Sequence, residues 1–285
     1  MSAVLNGNVV LAVACNMIPQ AIAIGAYGAR YAGVTTRRIA TAISLFSLLV
    51  TASRLAALFM TPSLGALGDA AANGATARHL KAVPPEVLHV FDEQMRIIIA
   101  AGSVGILLGA VMLPMFVAGF TRGVHSFERR GSVLASLMRI ADPKVLWWLL
   151  AHLKPRRFSL ADFPISAVPR RLLIFNVVLY AVYAVGVIAA YYASVMDLGA
   201  RTTASGLSGL VNGIGTVAFA LFVDPTTALI VDQTVRDERP RRDVAAMIFW
   251  LIVTGFIGTL LAQLILVPAA EYIALVAHYW PHGKL

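Results

Sequence analysis

One arginine lies inside an apolar stretch of the chain. Arg54 follows 15 residues of a run that begins at position 39, which places it about 22 Å along a helix that rises about 1.5 Å per residue. A guanidinium group stays charged in proteins, so within a membrane it needs acceptors or an anion. Two interpretations are open. In the first, helix carbonyls, Asn16 or a carboxylate accept the hydrogen bonds of Arg54. In the second, Arg54 binds a phosphate group in a transport cavity.

Asp224 is the one acidic residue within a candidate membrane span. Its predicted depth is about 10 Å from the nearer boundary, a mismatch of about 12 Å with Arg54, which argues against a direct pair. Asn16 matches the depth of Arg54 better, on a neighbouring antiparallel helix. Asp224 and Pro225 predict a kink or break in their helix, because proline removes a backbone donor. If transport is coupled to protons, Asp224 is the candidate carrier.

Motifs typical of catalytic centres are absent or incomplete. Residues 206–209 read GLSG, similar to the nucleophile motif of rhomboid proteases with Ser208 as the serine, but the last span contains no histidine base. HExxH, GxxxxGK[ST] and DDxxD patterns do not occur. His79 and His89 lie ten residues apart and do not form a set of ligands typical of a metal site. We therefore expect no enzyme activity, no metal site and no cofactor.

The composition indicates which kind of secondary structure carries these residues. Hydrophobic residues make up 59% of the chain and charged residues 13%, against about 25% charged in soluble domains. Several apolar runs reach the roughly 20 residues that cross a bilayer as a helix. The sequence therefore predicts an all-α polytopic integral membrane protein, a single membrane domain over 1–285. Its six candidate spans are 9–28, 39–60, 97–118, 172–193, 204–231 and 244–270.

The basic residues are concentrated on one side of these spans. Of the 23 lysines and arginines, 17 lie in the connections 30–38, 119–171 and 232–243. Because basic loops stay in the cytoplasm, we expect a multi-pass protein with both termini outside the cytoplasm. The net charge of +9 then reflects topology and anionic lipid, and it is no indication of nucleic acid binding.

The two longest connections have different compositions. In the cytoplasmic connection 119–171, a short apolar stretch after Asp142 and Pro143 predicts an interfacial amphipathic helix with tryptophans at headgroup depth. It is either a membrane-surface anchor or a gate or headgroup-binding element. The connection 61–96 mixes glycine, proline and both charge signs. We expect an irregular loop there, with a short helix from Pro85.

Small residues recur at four-residue spacing in two spans. This spacing permits close helix contact within one chain or between two copies, so a homodimer is one arrangement that the sequence allows. The two sets are Gly105 with Gly109, and Ser205 with Gly209 and Gly213.

Two longer stretches resemble a known family. They are ARYAGVTTRRIATAISLFSLLVTASRLAALFMTPSLGALGD and SGLSGLVNGIGTVAFALFVDPTTALIVDQTV, and they are similar to the Amj family of lipid II flippases, which are short proteins with about six spans. The resemblance implies transport of lipid II, an undecaprenyl-pyrophosphate-linked peptidoglycan precursor, from the inner to the outer leaflet of the bacterial cytoplasmic membrane. It covers most of the chain and is weakest in 61–96 and 119–171.

On that resemblance we hypothesise a polar route for the headgroup while the polyprenyl tail stays in lipid. Arg54 would contact the pyrophosphate in transit. The residues that would assist it are Arg30, Arg37 and Arg38 at the cytoplasmic entrance, and Asn16 and Gln20 along the route. The alternatives are a transporter of another polyprenyl-linked glycan or a small solute, and a non-transporting membrane assembly protein.

Overall fold

The computed structural model describes residues 4–131, 143–153 and 159–280. Regular structure in these ranges is helical throughout, and six segments are long and apolar enough to cross a membrane. The prediction of an all-α polytopic membrane protein is therefore confirmed. The helices are α1 Gly7–Ala23, α2 Gly25–Thr36, α3 Ile39–Leu58, α4 Met60–Ala77, α5 Pro85–Arg130, α6 Pro143–Leu150, α7 Arg170–Met196, α8 Arg201–Ala218, α9 Asp224–Val235 and α10 Arg241–His278.

Three of the six spans are interrupted part of the way along. The first breaks at Ile24 between α1 and α2, and the second breaks at Phe59 between α3 and α4. In the fifth, a π-helical turn, Phe219–Val223, separates α8 from α9. This turn ends directly before Asp224 and Pro225, which begin α9 without a gap. The predicted kink or break at that pair stays a prediction. Such π-helical turns are rare and are frequent at functional sites.

The prediction of an irregular loop over 61–96 is wrong. Helix α4 continues to Ala77, and Pro85 is the first residue of the long helix α5, so only 78–84 remain as a connection. Two physical reasons account for the difference. The apolar face of α4, with Leu64 and Leu67 fully buried, packs against α1 and α7. Proline at a first helical position lacks only a donor that would be unpaired anyway.

A short helix does form in the connection between the third and fourth spans. Helix α6 continues into a 3-10 turn, Ala151–Leu153, and both pack against α5. Trp147 is 77% exposed, and the guanidinium of Arg122 lies 4.8 Å from the ring centre of Trp148. An exposed tryptophan beside a basic side chain is typical of helices at membrane interfaces. The predicted start at Asp142 lies outside the described residues.

The bundle has two ends, which we name by what they carry. The terminal end carries residues 4 and 280 and the connections 78–84 and 197–200, whereas the basic end carries the connections 37–38 and 236–240. Each half has its own apolar core. Helices α1, α4, α5, α7, α8 and α10 share the core of the terminal half. Helices α2, α5, α7, α9 and α10 share that of the basic half.

An acidic residue joins the fourth and sixth spans at the terminal end. The Oδ2 atom of Asp197 lies 2.8 Å from Nδ1 of His278. Burial disfavours the charged carboxylate, but hydrogen bonds from His278 and from the backbone N–H groups of Gly199 and Ala200 outweigh it and lower the pKa of Asp197. The carboxylate is therefore charged at neutral pH and links the ends of α7 and α10.

The two small-residue sets differ in what they face within the described part of the chain. A Cβ atom at Gly109 would lie 2.6 Å from the carbonyl oxygen of Ala21, so α1 and α5 are in backbone contact there. Gly209 and Gly213 have no atom within 4 Å of a corresponding Cβ position. The packing prediction is confirmed for the third span, whereas the glycine face of α8 is open.

Alanine substitutions at glycines in these two environments should change the free energy of unfolding in opposite directions. We expect Gly109→Ala to destabilise the protein by about 1–3 kcal/mol, because the added methyl group forces α1 and α5 apart. Gly213→Ala is the matched control. Its methyl group meets open space, and alanine in place of a helical glycine stabilises by up to about 1 kcal/mol. Thermal unfolding in detergent measures both, and equal midpoints would contradict the close contact.

Candidate functional site

Helix α3 carries a polar face that no other part of the described chain covers. We define the polar face as Ser44, Ser47, Thr51 and Arg54, which are spaced three or four residues apart and are all exposed. The hydroxyl groups of Ser47 and Thr51 donate to the carbonyls of Ile43 and Ser47, at 3.0 and 2.8 Å. Arg54 is the charged member of this face, and it has no partner among the described residues. Polar side chains within membrane helices usually face a cavity, another helix or a ligand.

Arg54 forms no hydrogen bond or ion pair with any residue that the structure describes. The expected contact with Asn16 is not formed, because Asn16 Nδ2 instead donates to the carbonyl of Ile98 at 2.7 Å. A pair with Asp224 is likewise absent, as the depth argument predicted. In the described part of the chain, no contact therefore supports the interpretation that groups of the protein itself satisfy Arg54.

Gln20 lies on α1 where this helix crosses α5. Its side chain is only 7% exposed, and its Cβ would lie 3.0 Å from a Cβ at Gly105. No hydrogen bond joins its amide to the residues that the structure describes. Gln20 therefore keeps hydrogen-bonding capacity beside the break at Ile24. Asn16 uses its amide to hold α1 against α5.

A polar cluster joins α2 to the fifth span directly beyond the π-helical turn. Arg30 Nη2 donates to Asp224 Oδ1 at 2.7 Å, and the two side chains are 18% and 56% exposed. The guanidinium lies 6.0 Å from the ring centre of Tyr27, which is buried in the same core as Tyr180. The ring of Tyr180 meets Phe219 of the π-helical turn edge to face. The cluster therefore connects Arg30 to the break in the fifth span.

The remaining entrance arginines form exposed ion pairs at the basic end. Arg37 Nη2 lies 2.6 Å from Asp237 Oδ2, and Arg38 Nε lies 2.7 Å from Glu128 Oε1. Arg37 adopts a left-handed conformation with φ of 56°, which ends α2 and turns the chain into α3. Exposed pairs contribute little stability, about 0–1 kcal/mol. Both arginines can therefore exchange their carboxylate for another anion at small cost.

The arginines of the first helical hairpin stand at successive depths. Arg37 and Arg38 are at the turn, Arg30 is about 10 Å from it along α2, and Arg54 is about 22 Å from the start of α3. Helices α2 and α3 are antiparallel neighbours in contact. The positive charges thus extend from the basic end to about three-quarters of the way across a roughly 30 Å hydrocarbon layer.

Sequence reasoning missed that Tyr27 and Tyr180 share one core, and it missed the partner of Asp224. Tyr27 and Tyr180 belong to apolar runs far apart in the chain, and Arg30 is 194 residues from Asp224. No local spacing signals either arrangement. The only available hint for Asp224 was its shallow depth, which matches the depth of Arg30.

Comparisons with known proteins agree on one family. A family model described as "Amj: Alternate to MurJ" matches residues 15–277. A curated protein of Bacillus subtilis (strain 168), "Lipid II flippase Amj", is 33% identical over 251 residues, which cover 87% of this chain and 89% of that protein. No solved structure matches the chain.

Proposed function

Because this chain belongs to the Amj family, we propose that it moves lipid II from the inner to the outer leaflet of the bacterial cytoplasmic membrane. A curated relative that is similar over nearly its whole length carries the name of this activity. The structural observation that carries the proposal is the exposed and unpartnered guanidinium of Arg54 at membrane depth. A guanidinium group in this position suits the pyrophosphate of such a lipid.

The polar face of α3 provides the chemistry that a headgroup needs while its tail remains in lipid. A guanidinium binds phosphate oxygens with two parallel hydrogen bonds. Ser44, Ser47 and Thr51 keep acceptor lone pairs and reorientable hydroxyl groups on the same face. In our proposal the pyrophosphate contacts Arg54, and the sugar hydroxyls follow the serine and threonine side chains. The polyprenyl chain stays beside the apolar residues that flank this face.

We place the basic end in the cytoplasm, with both termini outside, from the distribution of lysine and arginine. In this orientation lipid II first meets Arg37 and Arg38, whose carboxylate partners are exposed. It next meets Arg30, if Asp224 releases it, and then Arg54. In this proposal each step moves the pyrophosphate towards a positive charge at a greater depth.

The remaining residues of the hypothesised route lie on α1. The side chain of Gln20 is 7% exposed and forms no hydrogen bond with the described residues, so it can bind a sugar or phosphate oxygen as the helices part. Asn16 would first have to give up its bond to Ile98. In the proposal Gln20 therefore lines the route directly, and Asn16 joins it only when α1 moves away from α5.

The helix breaks and the open glycine face complete the proposal. Breaks at Ile24, at Phe59 and in the π-helical turn let half-helices tilt separately, as in transporters with discontinuous helices. The open face of α8 around Gly209 and Gly213 would admit a second copy of the chain at close range. A homodimer remains part of the proposal, since six helices enclose little space for a large headgroup.

Rescue of cells depleted of their resident lipid II flippase tests this function. We expect expression of the full chain to restore growth and normal cell shape, because lipid II again reaches the outer leaflet. The control is the same vector carrying a membrane protein of matched expression. Absence of rescue from a protein that accumulates in the membrane would contradict lipid II transport. It would leave the small-solute and assembly-protein alternatives.

A further inference from the structure

A polar groove lies at the terminal end of the bundle, away from the arginines of the route. It has a volume of about 260 Å³ and is formed where α4, α7 and α8 meet. Its lining combines one aromatic ring, one carboxylate, one guanidinium and three aliphatic hydroxyl groups. The lining residues are Gly65, Asp69, Tyr191, Ser194, Arg201, Thr202 and Ser205.

An ion pair crosses this groove and leaves most of its bonding capacity free. Asp69 of α4 and Arg201 of α8 are joined through Oδ1 and Nη2, with side chains that are 68% and 27% exposed. Gly68 makes room for the guanidinium, which would lie 3.6 Å from a Cβ at that position. A carboxylate has about four lone-pair sites and a guanidinium has five N–H donors. Both groups can therefore bind further hydroxyl or amide groups.

The hydroxyl groups of the lining are arranged to accept hydrogen bonds. Ser194 is part of the lining, and its hydroxyl donates to the carbonyl of Tyr191 at 2.7 Å, so its proton is already used. Ser205 similarly donates to the carbonyl of Thr202 at 3.0 Å. Gly65 faces the ring of Tyr191, whose Cε1 would be 3.8 Å from a Cβ at that position. The absence of a side chain at Gly65 keeps this edge of the ring open.

The charges and dimensions of the groove select one class of ligand. The carboxylate of Asp69 neutralises Arg201 and would repel a pyrophosphate, while Arg201 would repel a cation. A neutral ligand with many hydroxyl and amide groups satisfies both, and its C–H face can lie against an aromatic ring. The volume is below the roughly 300–1,000 Å³ of pockets for drug-sized ligands, so it suits a single ring.

We propose that this groove binds one N-acetylated pyranose ring of the lipid-linked headgroup. The proposal rests on the function proposed above and adds a second site to it. Arg54 holds the pyrophosphate at membrane depth, and the groove receives a sugar at the terminal end, which is the outer end in our orientation. The two sites are chemically distinct, because one is cationic and the other has a balanced ion pair.

Binding measurements with two soluble or dispersed probes test the groove. The probes are N,N′-diacetylchitobiose and undecaprenyl pyrophosphate, each titrated against the purified full chain in detergent. We expect Gly65→Leu, which fills the groove beside Tyr191, and Asp69→Asn, which removes a charged acceptor, each to weaken disaccharide binding about tenfold. Binding of undecaprenyl pyrophosphate should stay within about twofold of the unmodified chain, a difference of less than about 0.5 kcal/mol.

Gly74→Leu is the matched control, since Gly74 lies on the same helix with no atom within 4 Å of its Cβ position. It should leave the binding of both probes unchanged. Asp69→Asn preserves side-chain shape and guards against a folding defect of Gly65→Leu. The proposal is overturned if the unmodified chain does not bind the disaccharide, if neither variant weakens that binding, or if both probes weaken equally. Rescue of flippase-depleted cells tests the proposed lipid II transport independently of these binding measurements.

Discussion

Arg54→Gln will abolish rescue of flippase-depleted cells, although the protein accumulates in the membrane at the normal level. Arg54 contacts no described residue through a hydrogen bond or ion pair, so glutamine removes no internal contact. What it removes is the one positive charge at membrane depth on the polar face of α3. Losing a charged hydrogen bond to the pyrophosphate costs about 1.5–3 kcal/mol, which corresponds to at least about tenfold in translocation rate.

Two further variants separate charge from geometry at this position. Arg54→Lys keeps the charge but loses the planar pair of donors, so we expect partial rescue. Arg171→Gln removes an exposed arginine at the basic end that has no role in the route, and we expect full rescue. The measurements are growth under depletion, membrane abundance by immunoblot, and translocation of fluorescent lipid II in proteoliposomes. Normal translocation by Arg54→Gln would refute the role of Arg54.

Arg30→Gln and Asp224→Asn will change the binding of undecaprenyl pyrophosphate in opposite directions. Asp224 and the pyrophosphate compete for the guanidinium of Arg30, which Asp224 occupies at 2.7 Å in the structure. Arg30→Gln removes the shared donor and should weaken binding about tenfold. Asp224→Asn removes the competitor, so we expect tighter binding of the pyrophosphate and slower release, hence slower translocation. The measurement is the dissociation constant of the purified chain.

The opposite signs distinguish competition from a purely structural tie between α2 and α9. If the ion pair only held the helices together, both substitutions would loosen the same contact and change binding in the same direction. Asp232→Asn, in an exposed position on the same helix, is the control and should have no effect.

Asp224→Asn also tests proton coupling, because asparagine cannot titrate. If translocation by the unmodified chain depends on pH and by Asp224→Asn does not, Asp224 carries the proton.

The sequence by itself determined that this protein lies in lipid and that its secondary structure is helical. Apolar runs of about 20 residues leave only helices as a way to satisfy the backbone in lipid, and the six predicted spans correspond to the six long helical segments. The position of Arg54 within such a run also followed directly from counting residues. The sequence resemblance to the Amj family agrees with the family model and with the curated relative.

Only the tertiary structure decided what each polar or small residue faces. The glycines at 105 and 109 and those at 209 and 213 have the same spacing. Among the described residues, the first pair meets another helix and the second pair does not. The carboxylate partner of Arg30 and the groove between Asp69 and Arg201 likewise join residues far apart in the chain. A local pattern fixes the side of a helix on which a residue lies. Which neighbour covers that side depends on how all the helices pack, so contacts of this kind do not follow from spacing.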